Sequence, residues 1–113
     1  MNQFRNYLIE QEALSLLEMA PTFYPEETGL KEIIWVSTKM ASHGPRIKVY
    51  ETPNGKNFSV SISDKPKIVA GDCFVNAKEL KRIFAFILKH KDDLIAYWNS
   101  ELTTDELEHN LFD

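Results

Sequence analysis

The clearest pattern in the chain lies between residues 46 and 63, where apolar and polar side chains alternate in two short runs. A period of two is typical of strands that bury one face and leave the other in water. The apolar positions of the two runs are Ile47, Val49, Phe58, Val60 and Ile62. Between the runs, Asn54 and Gly55 form a dipeptide that favours a two-residue hairpin turn. With these two residues as the loop, the register pairs Val49 with Val60.

Five other segments carry a strand or helix pattern. Short apolar runs between turn-forming residues predict strands at residues 33–36 and 67–70. Apolar residues that recur every three or four positions predict helices at residues 2–19, 76–99 and 104–112. The predicted fold class is therefore α+β: a small antiparallel sheet of three or four strands packed against the long helix, with an N-terminal and a short C-terminal helix beside it.

Two of the predicted helices have recognisable starts. Asn76 precedes the long helix as a candidate N-cap, with Glu79 three residues later. Thr103 and Glu106 form the same capping-box pattern before the C-terminal helix. The apolar stripe that should face the sheet from the long helix consists of Leu80, Ile83, Phe84, Ile87, Leu94 and Trp98.

Length and composition limit what the chain can be. With 113 residues, of which 43% are hydrophobic, it is expected to form one domain over residues 1–113 with its own core. Its single cysteine, Cys73, cannot form an internal disulfide or supply a cysteine-rich zinc site. The sequence has no apolar run of membrane-spanning length and no secretion signal at its start. We therefore expect a cytoplasmic protein without a membrane partner.

Charge is distributed unevenly along the chain, whose formal net charge is −4. Residues 31–70 hold seven basic and three acidic side chains, whereas the segments on either side are acidic. The polar face of the predicted hairpin therefore carries cations beside hydroxyl groups and an aromatic ring, as an anion or nucleic-acid site requires. The candidate residues for such a site are His43, Arg46, Lys48, Tyr50, Ser59 and Ser61. The alternative is an ordinary solvated sheet face, or one that faces the protein's own acidic helices.

The predicted C-terminal helix offers a second candidate surface. Leu107, Leu111 and Phe112 lie about one turn apart, and its other positions are mostly acidic or polar. A short amphipathic helix must rest its apolar side on its own domain or on another chain. These three residues are therefore candidates for binding a protein partner or a second copy of the chain. Packing on the chain's own core is the alternative.

The sequence contains no recognisable pattern of catalytic or metal-binding residues. The histidines are His43, His90 and His109, and no two of them have the spacing of a helical metal motif. No phosphate loop, nucleophile elbow or dinucleotide fingerprint is found. We therefore expect no catalytic residues, no metal and no cofactor.

One stretch resembles a known family. A hairpin at residues 46–60 precedes a helix that carries His90, Leu94 and Trp98 in a His-x-x-x-Leu-x-x-x-Trp pattern. In these features residues 45–99 resemble a family of short uncharacterised bacterial proteins. Its members are often encoded in toxin–antitoxin-like gene pairs, so the resemblance implies a protein or nucleic-acid partner. The second strand of the family usually carries a Pro-His-Phe-His sequence, which is missing around Phe58, so any role of those histidines does not carry over.

The function that these features favour is that of a small non-catalytic binding or regulatory protein. It would belong to a bacterial or phage system and act through a protein partner or as a homo-oligomer. A nucleic-acid-binding module that uses the basic sheet face is the alternative. An enzyme without a recognisable motif ranks third.

Overall fold

The computed structural model describes residues 22–39 and 43–112, and within them it contains a five-stranded antiparallel sheet. The strands are β1 (Thr22–Phe23), β2 (Ile33–Val36), β3 (Arg46–Tyr50), β4 (Asn57–Ser61) and β5 (Ile68–Gly71). The helices are α1 (Pro25–Thr28), α2 (Ala77–Trp98) and α3 (Thr104–Phe112). Each strand pairs with the next one along the chain, so the sheet is a simple meander. The helix predicted at residues 2–19 lies outside the described residues.

The α+β class and the long helix are confirmed, but the sheet has one strand more than the three or four predicted. The additional strand is β1, which pairs Thr22 with Trp35 and Phe23 with Ile34. Two residues are too few to show a period of two, so the pattern along the chain could not reveal this strand.

The predicted hairpin register is wrong by two residues. Val49 pairs with Phe58 and not with Val60, which lies opposite Ile47. The loop is longer than a two-residue turn, because the N–H of Gly55 donates to the carbonyl of Thr52 at 2.9 Å and closes a four-residue turn. A shift of two residues preserves the faces of the strands, so the apolar positions still point into the core.

Residues Pro53 and Asn54 form the centre of this turn. Asn54 has a φ of +61°, and a proline followed by a residue with positive φ is the type II arrangement. Proline sets the first central φ near −65°, which moves the turn one residue earlier than the Asn54-Gly55 pair predicts.

Replacement of Asn54 by valine is expected to lower the free energy of unfolding by about 1–2 kcal/mol, because a β-branched residue is strained at positive φ. Asn54→Gly is the matched control and should leave stability within about 0.5 kcal/mol of the wild type. Urea unfolding followed by circular dichroism measures both values. Equal stability of the two variants would contradict the assigned turn.

The core lies between the sheet and helix α2. Its fully buried sheet residues come from the predicted apolar set, with Ile34 and Val36 added from β2. On α2, the buried positions include Ile83, Ile87 and Leu94 as predicted. The predicted stripe is nevertheless rotated: the buried apolar positions also include Phe86 and Tyr97, whereas Leu80, Phe84 and Trp98 are only half-buried. The rotation arises because α2 also packs against α3, where the hydroxyl groups of Tyr97 and Thr104 lie 3.1 Å apart.

Both predicted helix starts are confirmed at the level of hydrogen bonds. The side chain of Asn76 accepts the N–H of Glu79 at 2.8 Å. At α3, Glu106 N–H donates to the Thr103 hydroxyl at 3.1 Å, and Thr103 N–H donates to the Glu106 carboxylate at 3.0 Å. The side chain of Glu79, in contrast, does not return to Asn76 but accepts the backbone N–H of Lys31 at 3.1 Å.

The two edges of the sheet are irregular. Strand β1 has only two residues. Strand β5 carries a bulge, because Ser59 pairs with Ala70 and Val60 with Ile68, which leaves Val69 as the additional residue. Within residues 22–39 and 43–112, neither edge therefore offers a long regular row of backbone groups.

Candidate functional site

The face of the sheet that points away from α2 collects most of the polar residues predicted from the sequence. We call it the outer face and define it by Trp35, Arg46, Lys48, Tyr50, Ser59 and Ser61. Arg46, Lys48 and Tyr50 alternate along β3 with the buried Ile47 and Val49. Their neighbours on β4 are Ser59, opposite Lys48, and Ser61, opposite Arg46. Five of the six predicted site residues therefore share one surface.

His43, the sixth candidate, lies in the loop before β3 and is exposed. It is three residues from Arg46 and has no place in the sheet. The structure therefore does not bring His43 into the paired rows of the outer face.

Trp35 belongs to the outer face but was not predicted as a site residue. It lies opposite Lys48 on the neighbouring strand, and the Lys48 ammonium nitrogen is 5.3 Å from the centre of its ring. This distance is within the range of a cation–π interaction. Its alternation with the buried Ile34 and Val36 could have placed Trp35 on the polar face of β2. Its position beside Lys48, in contrast, depends on the pairing of β2 with β3.

The two serines of the outer face have structural roles. Ser59 is only 3% exposed. The Ser61 hydroxyl accepts the backbone N–H of Lys67 at 3.1 Å and lies 3.0 Å from the hydroxyl of Ser63. Ser59 is therefore too buried to contact a ligand, and the Ser61 hydroxyl is already engaged in hydrogen bonds.

The backbone of Arg46 is held by two hydrogen bonds, but its side chain contains a donor without an acceptor. Its N–H donates to the Ser37 hydroxyl at 3.0 Å, and its carbonyl accepts the N–H of Ser37 at 3.1 Å. The side-chain Nε, in contrast, is buried and has no hydrogen-bond acceptor among the described residues. The two ion pairs within the described residues join Arg82 to Glu79 and Lys91 to Asp64, so neither uses Arg46 or Lys48. A buried donor without an acceptor is unfavourable, and an anion at this place would remove the penalty.

Tyr50 lies at the end of the outer face beside Ile33. Burial raises the pKa of its hydroxyl above the ordinary value. The group is therefore a neutral hydrogen-bond donor at physiological pH.

A second polar site, which the sequence analysis missed, lies where the start of β2 meets the start of α2. Glu32 and Glu79 are 6% and 4% exposed. The carboxylate of Glu79 accepts the N–H of Lys31 and lies 3.1 Å from the Arg82 guanidinium. One oxygen of Glu32, Oε1, is buried without a hydrogen-bond partner. No sequence motif joins residues so distant along the chain, and only the packing of α2 on the sheet brings them together.

The two carboxyl groups have opposite pKa shifts. Burial, a hydrogen bond to Glu79 and the charge of Glu79 raise the pKa of Glu32 to about 7. Burial opposes ionisation of Glu79 too, but hydrogen bonds from Glu32 and Lys31 N–H and the charge of Arg82 outweigh it and lower the Glu79 pKa. Near pH 7, a fraction of the molecules therefore has one proton on this pair of carboxyl groups. In those molecules the proton is bound to Glu32 and Glu79 is ionised.

This pair lines an open cleft of about 310 Å³. We call it the carboxyl cleft. It is lined by Lys31, Glu32, Glu51, Phe74, Val75, Asn76 and Glu79. Glu51 follows the last residue of β3, and Phe74 and Val75 lie in the segment before α2. The cleft thus has three carboxyl groups and one lysine on one side and apolar side chains on the other.

The apolar side of α3 packs on the chain's own core, which was the alternative to a partner surface. Leu107 is completely buried, and Leu111 is buried as well. The ring of Phe112 meets that of Phe23 edge to face, with centroids 5.0 Å apart. These side chains are therefore occupied within the molecule.

The three residues that carry the family resemblance also pack inside. Leu94 is fully buried, and His90 is buried with its ring 4.8 Å from that of Phe86. Burial, together with the charge of Lys89, lowers the pKa of His90, which keeps the ring neutral. Trp98 is half-buried, and its Nε1 is buried without an acceptor. In this molecule the residues of the His-x-x-x-Leu-x-x-x-Trp pattern therefore contribute to the packing of α2.

Within residues 22–39 and 43–112, no group of three or more histidine, cysteine, aspartate or glutamate side chains is arranged to hold a metal ion. The helices of this same part of the chain include none with the length and apolarity needed to cross a bilayer.

Comparison with protein families, with curated proteins and with solved structures found no match to this chain.

Proposed function

We propose that this chain is a small non-catalytic binding protein of a bacterial or phage system, and that its outer face holds an acidic segment of a protein partner in the cytoplasm. The observation that carries the proposal is the buried Nε of Arg46, which has no acceptor. A carboxylate is the natural ligand for it, because arginine and carboxylate form strong charge-assisted hydrogen bonds.

The composition of the outer face supports a protein partner. Arginine, tryptophan and tyrosine are the residues most enriched among those that dominate protein–protein binding energies. Arg46, Trp35 and Tyr50 are all half-buried and lie on two adjacent paired strands, so they lose little freedom when a partner binds.

A nucleic acid is the second candidate, because the outer face combines cations with aromatic rings. One observation weighs against it. The Trp35 ring already contacts the Lys48 ammonium, so that face of the ring is not free to stack on a base.

The test places a photoreactive benzoylphenylalanine at Tyr50 on the outer face of the full chain, expressed in its host cells. Leu88, which is exposed on α2, is the matched control position. We expect a covalent adduct from position 50 that protease removes and nuclease does not, with the cross-linked peptide rich in aspartate or glutamate. Position 88 should not give this adduct.

A second variant tests the role of the arginine. Arg46→Met keeps an apolar stem and removes the guanidinium, so the yield of adduct should fall about tenfold or more, in line with the ~1.5–3 kcal/mol of a hydrogen bond to a charged group. The melting temperature should stay close to that of the wild type, because the substitution also removes an unsatisfied buried donor. A nuclease-sensitive adduct would establish the nucleic-acid alternative. An adduct that Arg46→Met leaves unchanged would overturn the proposal.

A further inference from the structure

The carboxyl cleft contains one buried oxygen that has no hydrogen-bond donor among the described residues once Glu32 is ionised. Both oxygens of Glu79 are used, since Oε2 accepts the N–H of Lys31 and Oε1 bonds the Arg82 guanidinium. The second terminal nitrogen of Arg82 donates to the Gly29 carbonyl at 2.6 Å, so both terminal nitrogens of this side chain are engaged. The unsatisfied oxygen is therefore Oε1 of Glu32.

From this geometry we infer that the carboxyl cleft binds a small primary amine, whose ammonium group donates to Glu32. Such a ligand supplies both an N–H donor for the vacant oxygen and the positive charge that Glu32 lacks. This binding is separate from the outer face and does not depend on the function proposed for it.

The charged groups around Glu32 favour a cation over a neutral donor. Glu79 faces it from α2, and Glu51 lies one position beyond the paired residues Ile33 and Tyr50, directly after the end of β3. Arg82 neutralises Glu79, and Lys31, whose charge acts on both carboxyl groups, is exposed. With Glu32 ionised, three carboxylates surround the cleft, against Lys31 and Arg82, while Lys78 lies beside Glu79 in the adjoining cleft.

The remaining walls define the rest of the ligand. Phe74 and Val75 are half-buried and give the cleft an apolar side, against which a hydrocarbon stem would pack. A volume of about 310 Å³ is at the lower end of the range for ligand sites, which begins near ~300 Å³. An alkylammonium ion of a few carbons matches both features.

Binding of the amine exchanges one cation for another. The free site holds a proton between Glu32 and Glu79 when Glu32 is protonated. The ammonium group takes the place of that proton, both carboxylates are then ionised, and the proton passes to solvent. With the pKa of Glu32 at about 7, proton competition should make binding about tenfold tighter at pH 8 than at pH 6.

The test is a titration of the full chain with butylammonium chloride at pH 6 and pH 8, at constant ionic strength, followed by NMR chemical shifts of the residues lining the cleft. Tetramethylammonium has the same charge without N–H donors, and 1-butanol has the stem without the charge. We expect butylammonium to bind about tenfold more tightly at pH 8 and neither control to shift the same resonances.

Glu32→Gln is the decisive variant, because it keeps the size of the side chain and removes its charge. We expect binding at pH 8 to weaken at least fivefold and the pH dependence to disappear. Circular dichroism verifies its fold, and Arg46→Met should bind the amine like the wild type. Equal shifts with tetramethylammonium, affinity independent of pH in the wild type, or no binding at either pH would each overturn the inference.

Discussion

Replacement of Leu107 by alanine should lower the free energy of unfolding by about 2–5 kcal/mol, as is usual when a fully buried leucine is truncated and leaves a cavity. Leu107 is completely buried at the interface of α3 with the core. The loss would be a large part of the 5–15 kcal/mol that stabilises a typical domain. Urea unfolding followed by tryptophan fluorescence measures it.

Glu108→Ala is the matched control, since Glu108 is the next residue of the same helix and is exposed. Its effect should stay within about 0.5 kcal/mol. A chain cut after Ser100 lacks Leu107, Leu111 and Phe112 together, and it should be largely unfolded at 37 °C. A truncated chain with an unchanged melting temperature would show that α3 is free to serve a partner.

Stability is expected to decrease as the pH rises through neutrality because of Glu32. The folded protein holds a proton on Glu32 up to about pH 7, whereas the ordinary pKa of a glutamate carboxyl group is 4.5. Between these values the folded state binds more protons at Glu32, so the contribution of this group is complete below pH 4.5 and is lost as the pH rises through 7. It amounts to at most about 3 kcal/mol, and solvent in the open cleft, together with the opposite shift of the Glu79 pKa, reduces the contribution of the pair toward ~1 kcal/mol.

The measurement compares the melting temperatures of the wild type and Glu32→Gln between pH 5 and pH 8. The variant should be the more stable protein at pH 8 and should lose its advantage toward pH 5. The lowered pKa of His90 gives stability that falls as the pH drops through the same acidic range, but it contributes equally to both proteins and cancels in the difference. A constant difference across the range would show that Glu32 is ionised in the folded protein throughout.

The sequence was sufficient to predict the parts of the fold that depend on neighbouring residues. Alternation along β3 and β4 placed Lys48 and Val49 on opposite faces correctly, even though the predicted register was wrong. The reason is that side-chain direction has a period of two, so an error of two residues in the loop leaves each face intact. Either Pro53-Asn54 or Asn54-Gly55 could form the centre of the turn. The fixed φ of Pro53 favours the first pair.

The features that could not be predicted depend on residues that are distant along the chain. Glu79 looked like a capping-box partner of Asn76, but its side chain reaches Lys31 and Glu32 because α2 packs across the start of β2. Trp35 joins the outer face only through the pairing of β2 with β3. Local patterns carry no information on either contact.

The irregular edges of the sheet limit the ways in which another chain can bind to it. An extended segment joins a sheet as a further strand only where an edge presents a regular row of free N–H and C=O groups. The two-residue β1 and the bulge at Val69 on β5 interrupt that row on both sides. In the part of the chain that the structure describes, both edges therefore disfavour the addition of a strand. A partner segment must instead be recognised through side chains, whatever backbone conformation it adopts.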